Sequence, residues 1–298
     1  MDYQTILVEE KNAVGYLKFN RPEQLNSFNE VMHKEVAQVL NKWAVQPDIR
    51  AVVISAQGRG FCAGQDLNDR VVDPDSAVPD LGLSIEKYYN PLIKLITEMP
   101  KPVICAVNGV AAGAGANIAL ACDLVLAAKS ASFIQVFCRL GLVPDSGGTW
   151  FLPRLVGRAQ AMGLALLGDK IPAEQALQLG MIWRVVEDEQ LQVEAEKMAE
   201  HLARQPTYGL ALIKKQSMLL RIILWMSSYF LNVTYSVWQA VQRITVKVYR
   251  LLCKSVHLNT KAARTGRATQ FLKNMDEKSI VFSESYRQDD CTWSIEYE

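Results

Sequence analysis

The sequence predicts an α/β fold in which buried strands alternate with helices. Two continuous apolar runs, AVVISA at 51–56 and PVICAVNG at 102–109, are typical of strands that are buried on both faces. Residues 29–43 and 85–99 instead space their apolar side chains at helical intervals. Strands that alternate with helices along the chain favour a mixed α/β core.

The remaining elements follow from local patterns taken in chain order. Residues 5–10 and 14–19 predict a hairpin of two short strands, and Asn29 is placed to cap the helix that follows. Further along, the patterns predict a loop at 59–67, a loop rich in Pro, Gly and Asp at 71–83, a helix of small residues at 111–122, and strands at 123–128 and 131–136.

Composition excludes several classes of function. The chain has 298 residues, enough for a sizeable core, and its formal net charge of +1 gives no support to a nucleic-acid partner. Its N-terminus lacks the basic-then-apolar pattern of a secretory signal. Six cysteines without a CxxC pair indicate free thiols in a reducing cytoplasm; they are Cys62, Cys105, Cys122, Cys138, Cys253 and Cys291.

Histidine chemistry is not favoured. The three histidines, His33, His201 and His257, are far apart in sequence and far from the other candidate residues. A histidine-based triad or a histidine metal site is therefore not expected, and no metal is assigned. His33 is predicted to lie on the solvated face of its helix.

Two loop-to-helix junctions carry the candidate chemistry, at Cys62–Leu67 and Asn108–Gly115. Helix N-termini leave N–H groups unpaired, and small residues let an oxygen approach them closely. Two such donors that converge on one carbonyl oxygen would stabilise an enolate. Tight turns and close helix packing are the alternative. A dinucleotide site at Gly113–Gly115 is disfavoured, because the third glycine of GxGxxG would fall on Ile118.

The motifs resemble the crotonase, or enoyl-CoA hydratase/isomerase, family. The matching segments are NRPEQLNSFN at 20–29, RGFCAGQDL at 59–67, residues 101–124 and residues 140–186, in the family's order over roughly 5–215. This resemblance implies a spiral of ββα repeats followed by C-terminal helices that build a trimer. It also implies an acyl-CoA substrate, whose coenzyme A is part of the substrate, with no separate cofactor.

The resemblance assigns roles to individual residues. The family's oxyanion-hole donors correspond to the backbone N–H groups of Ala63 and Ala114. The two hydratase glutamates correspond to Asn117 and Phe137, which cannot act as bases, whereas Asp145 stands where family isomerases carry their single carboxylate. One carboxylate suffices to shift a double bond, so the resemblance implies an isomerase. The alternative for Asp145 is a helix cap.

Substrate contacts are predicted around these groups. The residues are Gly64, Gln65, Asp66, Leu67, Tyr88, Tyr89, Gly115 and Asn117. Tyr88, Tyr89 and Trp150 could line a pocket for an aromatic acyl group, although core packing would give the same pattern. For Asp66 and Asp123 a structural role in a turn or cap is the preferred interpretation.

The composition changes after Lys215, where the resemblance ends. Residues 201–275 contain no Asp or Glu, although the chain has 31. A membrane span at 218–231 is disfavoured, because Arg221 interrupts an apolar run that is shorter than the ~20 residues needed. A shifted reading frame is the preferred interpretation, in which each new codon takes the last base of one codon and the first two bases of the next. Because Trp and Met each have a single codon, the junction Trp225–Met226 must then encode Asp, and Trp238–Gln239 must encode Ala. One permitted string contains DYREGVSAF, which resembles a crotonase C-terminus.

Three segments follow from this interpretation. Residues 1–205 form the core with the CoA-ester site, 206–261 form the trimerisation region, out of frame after Lys215, and 262–298 form a tail of no expected function. The predicted partners are an acyl-CoA and further copies in a homotrimer or hexamer that is impaired here, without nucleic acid or membrane. The alternatives are a damaged, inactive chain or a hydratase/isomerase of other acyl specificity.

Overall fold

The computed structural model describes residues 3–66 and 81–219, and it has the predicted α/β architecture. One sheet has six strands in the order β1-β2-β3-β5-β7-β10, with β1 and β2 antiparallel and the other neighbours parallel. These strands are β1 Ile6–Lys11, β2 Val14–Phe19, β3 Ala51–Ala56, β5 Val103–Val107, β7 Leu124–Ala128 and β10 Arg184–Val186.

A second sheet has four short strands in the order β4-β6-β8-β9, of which β8 and β9 are antiparallel. They are β4 Gly60–Cys62, β6 Val110–Ala112, β8 Ser132–Ile134 and β9 Lys170–Pro172. Consecutive strands therefore go to different sheets: β3, β5 and β7 join the first, and β4, β6 and β8 join the second. This alternation produces the spiral that the resemblance implied.

The helices cover the sheets and connect the repeats. They are α1 Glu30–Val45, α2 Leu81–Ser84, α3 Asn90–Glu98, α4 Ala114–Leu120, α5 Gly148–Leu167, α6 Ala173–Gln178, α7 Leu191–Arg204 and α8 Thr207–Leu219. A π-helical turn at Ile85–Tyr89 joins α2 to α3. Helix α5 is kinked at Gly157, whose φ of 77° and ψ of 161° are not helical.

Several predicted elements are confirmed. Every residue of β3 and of β5 is buried, as the continuous apolar runs indicated. The Asn29 side chain accepts a hydrogen bond from the N–H of Met32 at 2.9 Å, so it caps α1. Cys62, Cys105, Cys122 and Cys138 are free thiols, and Cys253 and Cys291 lie outside the described residues.

Other boundaries differ from the prediction. The predicted helix at 111–122 is wrong at its start, because Val110–Ala112 forms β6 and pairs with β4 and β8. Gly113, with φ 54°, separates that strand from α4. The predicted loop at 71–83 is wrong at its end, since α2 begins at Leu81. Its residues 71–80 lie outside the described residues.

His33 is buried, which contradicts the predicted solvated position. Its side chain is enclosed by the rings of Phe28, Tyr88 and Tyr89 at centroid distances of 4.8, 4.9 and 4.5 Å. Within the described residues, neither ring nitrogen has a hydrogen-bond partner. Burial lowers the pKa of His33 to about 4, although Gln65 and Glu30 act in the opposite direction.

Lys214 connects helix α8 to the core. The Lys214 ammonium group lies 2.7 Å from Oδ2 of Asp123 and 2.8 Å from the carbonyl oxygen of Ile96. Asp123 also accepts the N–H of Val103 at 2.8 Å, which fits the structural role considered for it. Burial raises the pKa of Asp123, and Lys214 opposes that rise.

The predictions for the out-of-frame segment after Lys215 and for the tail at 262–298 fall largely outside the described residues, which end at Leu219. Within the part of the chain that is described, no helix is long and apolar enough to cross a bilayer.

The packing of Trp43 on Gly15 predicts a sharp difference between two glycine substitutions. A Cβ added at Gly15 would lie 2.7–2.8 Å from the buried Trp43 ring, so Gly15→Ala should lower the free energy of unfolding by about 1–3 kcal/mol. At Gly163, in α5, an added Cβ meets nothing within 4 Å. Gly163→Ala should therefore be neutral, or stabilise by up to about 1 kcal/mol. Urea unfolding of both variants tests this, and equal effects would contradict it.

The burial of His33 predicts an acid-sensitive contribution to stability. Its pKa is about 4 in the folded chain against an ordinary 6.5, so between these values the unfolded chain binds the extra proton. The cost is absent above pH 6.5 and grows as the pH falls towards 4. His33→Leu removes this cost. When the pH is lowered from 7.5 to 5, the unfolding free energy of the variant should therefore rise by about 2 kcal/mol relative to that of the wild type. A pH-independent difference in unfolding free energy would contradict the assignment.

Candidate active site

The loop after β4 turns sharply at Gly64, which has φ 94°. The preceding N–H, that of Ala63, donates to the carbonyl oxygen of Leu25 at 3.0 Å. This bond connects the loop to the early segment at 20–29 and occupies the N–H group predicted to serve as an oxyanion donor. The structure therefore does not fit Ala63 as the donor.

Gln65, two residues further along, is oriented differently. The N–H of Phe28 donates to the carbonyl oxygen of Gly64 at 2.7 Å, and the N–H of Asp66 donates to that of Phe28 at 2.9 Å. These bonds form a parallel bridge between Phe28 and Gln65. Because peptide groups alternate in direction along an extended segment, the N–H of Gln65 faces away from Phe28.

The first turn of α4 packs directly against this loop. A Cβ added at Gly64 would lie 3.1 Å from the carbonyl oxygen of Ala112 and 3.4 Å from the nitrogen of Ala114. A Cβ at Gly115 would lie 2.3 Å from the carbonyl oxygen of Cys62. Glycines at 64 and 115 thus let the two junctions approach, and the Ala114 N–H belongs to the first turn of α4, where helical partners are absent.

Asp145 lies in the turn between the 3₁₀ helix Val136–Leu140 and α5, and it is half-buried. The Ser146 hydroxyl donates to its Oδ1 at 2.9 Å. Its backbone carbonyl accepts the N–H of Gly148 at 2.8 Å and Nδ2 of Asn117 at 2.8 Å. Gly147, not Asp145, is the N-cap of α5, and no side chain caps that helix, so the cap interpretation of Asp145 is not supported.

The two positions that the resemblance aligns with the hydratase glutamates hold buried residues here. Asn117 is 0% exposed, and its side chain bridges Asp145 and Gln135. Phe137 is buried, and its ring lies 3.7 Å from a Cβ added at Gly113, beside the first turn of α4. In the described structure, Asp145 is therefore the one carboxylate among the three positions compared.

The predicted aromatic residues occupy different environments. Tyr89 is fully buried, and its hydroxyl donates to Oε1 of Gln65 at 3.1 Å. Tyr88 is half-buried and donates to Oε1 of Glu30 at 2.7 Å. Trp150 is 37% exposed, with the Arg154 guanidinium 3.3 Å from its ring centroid. The described contacts link Tyr89 to the Gln65 loop, but they link neither Tyr88 nor Trp150 to it directly.

Asp66 forms a buried ion pair with Arg21 at 2.8 Å, which supports the structural interpretation of this residue. The Arg21 guanidinium also donates to the carbonyl oxygen of Ser27, so it joins the two loops. Sequence patterns did not identify Arg21, Leu25 or Gln135, because their roles depend on contacts between distant segments. Leu67 lies outside the described residues.

Comparison with known proteins agrees with this architecture. The enoyl-CoA hydratase/isomerase family model matches residues 9–219. The chain is 58% identical over 210 residues to the 1,2-epoxyphenylacetyl-CoA isomerase of Escherichia coli K12, covering 70% of this chain and 80% of that protein. It is 32% identical over 254 residues to a trans-2-decenoyl-acyl-carrier-protein isomerase of Streptococcus mutans, covering 85% of this chain and 91% of that protein.

Solved structures give the same result. The crystal structure of an enoyl-CoA hydratase from Mycobacterium marinum matches with a TM-score of 0.64 and 37% identity, covering 72% of this chain and 99% of that one. The spiral of paired strands, the converging glycine junctions and these matches lead to one conclusion: the chain belongs to the enoyl-CoA hydratase/isomerase family.

Proposed function

We propose that this protein is an isomerase of acyl-CoA thioesters that uses one carboxylate, Asp145, and two backbone N–H groups. The observation that carries the proposal is the convergence of the Gly64–Gln65 loop on the first turn of α4, with Asn117 of the same helix bonded to Asp145. Ala114 and Asn117 are three residues apart, about one helical turn or ~4.5 Å along the axis.

The N–H groups of Gln65 and Ala114 are the proposed donors to the thioester oxygen. The Ala114 nitrogen lies within van der Waals range of a Cβ built on Gly64, so the two peptide groups border a common space. Gln65 replaces Ala63 in this role, since the Ala63 N–H is bonded to Leu25. Donors fixed by the backbone stabilise negative charge on that oxygen without reorganising.

Asp145 moves the proton. Its carboxylate removes a proton from the carbon next to the thioester carbonyl. The C–H electron pair passes to the thioester oxygen, which gives an enolate. The electrons then return to form the new double bond, and the protonated carboxyl group returns its proton to a different carbon. A single group completes both steps, whereas water addition by the two-glutamate route has no base at Asn117 or Phe137.

The proposed substrate is ring-1,2-epoxyphenylacetyl-CoA, rearranged to oxepin-CoA. In this isomerisation the C–C bond shared by the epoxide and the six-membered ring breaks, its electrons shift into the ring double bonds, and the oxygen becomes a member of a seven-membered ring. The proton that Asp145 removes is returned to another carbon, so no atom is gained or lost. This assignment is supported by the 58% identity to the Escherichia coli isomerase and by the hydrogen bond from the Tyr89 hydroxyl to Gln65. The substrate-binding roles of Gly64, Gln65, Gly115, Tyr88 and Tyr89 belong to this proposal. A double-bond shift in an enoyl thioester is the second candidate, and the similarity to the Streptococcus mutans isomerase favours it.

The first prediction concerns Asp145 itself. Asp145→Asn keeps the size of the side chain but removes the base, so kcat should fall by about 10²–10⁴-fold. Binding of phenylacetyl-CoA, measured by calorimetry, should change little, because the two N–H donors remain. A variant with wild-type kcat would overturn the assignment of Asp145 as the base.

The second prediction separates backbone from side-chain chemistry in the Gln65 loop. Gly64→Ala places a Cβ against Ala112 and Ala114 at a residue with φ 94°, so it should displace a donor and lower kcat by about 10²–10³-fold. Gln65→Ala retains its N–H and should keep most of the activity. Circular dichroism of both variants serves as the control for folding. The reverse order of activities would contradict a backbone donor at Gln65.

The third prediction concerns assembly. We propose a cytoplasmic protein whose family trimer is impaired in this chain, because residues 216–261 contain no acidic residue to balance the basic ones. A version that carries the restored frame after Lys215 should form a monodisperse trimer by light scattering and bind CoA esters more tightly. Equal assembly and equal turnover by both versions would remove the functional consequence of the frame shift.

A further inference from the structure

We propose that Gln135 and Asn117 form an amide relay that positions the Asp145 turn, with Gln135 acting through Asn117. This inference rests on the proposed function, in which Asp145 carries the proton. Both residues are positioning residues, since their described contacts are with protein groups: Gln135 with Asn117, and Asn117 with the Asp145 backbone. The relay connects the residue that follows β8, helix α4 and the turn that precedes α5.

The chemistry of the amides fixes the direction of the relay. The backbone carbonyl of Asp145 can only accept, so Asn117 must present its NH₂ group there, at 2.8 Å. The Asn117 carbonyl oxygen then faces Gln135 and needs a donor, which Nε2 of Gln135 supplies at 2.9 Å. Among the described residues, no other hydrogen bond to the Asn117 carbonyl oxygen distinguishes this orientation of the amide from the flipped one, in which the oxygen would face Asp145.

The burial of both amides makes this pairing specific. Asn117 is 0% exposed and Gln135 is 4% exposed. Oε1 of Gln135 has no hydrogen-bond partner within the described residues. A buried, unsatisfied oxygen carries a free-energy cost that an apolar side chain would avoid. The hydrogen bond that Nε2 donates to Asn117 therefore accounts for a glutamine at this buried position.

The turn that the relay holds has an unusual backbone. Ser146 and Gly147 both have positive φ, 50° and 75°, directly after Asp145. Glycine adopts a positive φ readily, but for Ser146 such a conformation persists only where surrounding contacts enforce it. The Asp145 carbonyl is held from two sides, by Asn117 and by the N–H of Gly148, and a Cβ at Gly148 would lie 2.3 Å from Nδ2 of Asn117.

The relay also explains why a carboxylate does not fit at position 117. A glutamate or aspartate would present oxygen to the Asp145 carbonyl, and two acceptors repel each other in a buried site. The hydrogen bond to Asp145 would then be lost. The same amide that replaces a hydratase base therefore supports the remaining carboxylate.

Gln135→Met tests the relay in the full-length chain, since methionine has a similar volume and no donor. We expect a kcat at least about 10-fold lower with KM little changed, because the base is displaced but the thioester contacts remain. Hydrogen exchange over 142–151, which includes the Gly148 amide bonded to Asp145, should become several-fold faster, while exchange in the β3 and β5 strands stays at the wild-type rate.

Asn117→Ala and the double variant complete the experiment. If Gln135 acts through Asn117, the double variant should be no more impaired than Asn117→Ala alone. Ser132→Ala is the matched control, because Ser132 is 1% exposed, lies on β8, and has no side-chain hydrogen bond among the described residues. It should leave kcat and local exchange unchanged.

Two results would overturn the relay: wild-type exchange over 142–151 in Gln135→Met, or effects of Gln135→Met and Asn117→Ala that add in the double variant. Failure of the proposed function gives a different result, an active Asp145→Asn protein. The exchange measurement depends on folding and not on turnover, so it decides the relay whether or not the chain turns over substrate.

Discussion

The close packing of the β4 loop against the first turn of α4 is the constraint on which the site depends. Cys62 and Gly115 approach so closely that a Cβ at position 115 would lie 2.3 Å from the Cys62 carbonyl oxygen. This approach brings the Ala114 N–H beside Gly64. Because the proposed donors belong to the backbone, their positions are set by the pairing of β4 with β6 and by glycines, and not by polar side chains.

In the proposed function, a few side chains placed around α4 decide between reaction types on the same scaffold. Phe137 fills one hydratase position with an aromatic ring, and Asn117 fills the other with an amide that supports the Asp145 turn. Of the three positions compared, Asp145 is then the one that carries a carboxylate, which is half-buried and accepts a hydrogen bond from the Ser146 hydroxyl. A single carboxylate suits an isomerisation, because the group that removes a proton from one carbon also returns it to another.

The sequence predicted those features that depend on local pattern, and it was wrong about features that depend on distant contacts. The apolar runs of β3 and β5 and the Asn29 cap follow from neighbouring residues. The Ala63 N–H, in contrast, is bonded to Leu25 of another loop. His33 is buried because the π-helical turn covers its helix face with Tyr88 and Tyr89, and no periodicity in α1 indicates that covering.

The most direct test of this account is a crystal structure of the chain with phenylacetyl-CoA bound. The account predicts the thioester oxygen about 3 Å from the nitrogen atoms of both Gln65 and Ala114, as an oxyanion hole requires. It also predicts an Asp145 carboxylate oxygen within about 3.5 Å of the carbon next to the thioester carbonyl. A thioester oxygen bound by the Ala63 N–H, or by neither loop, would contradict it.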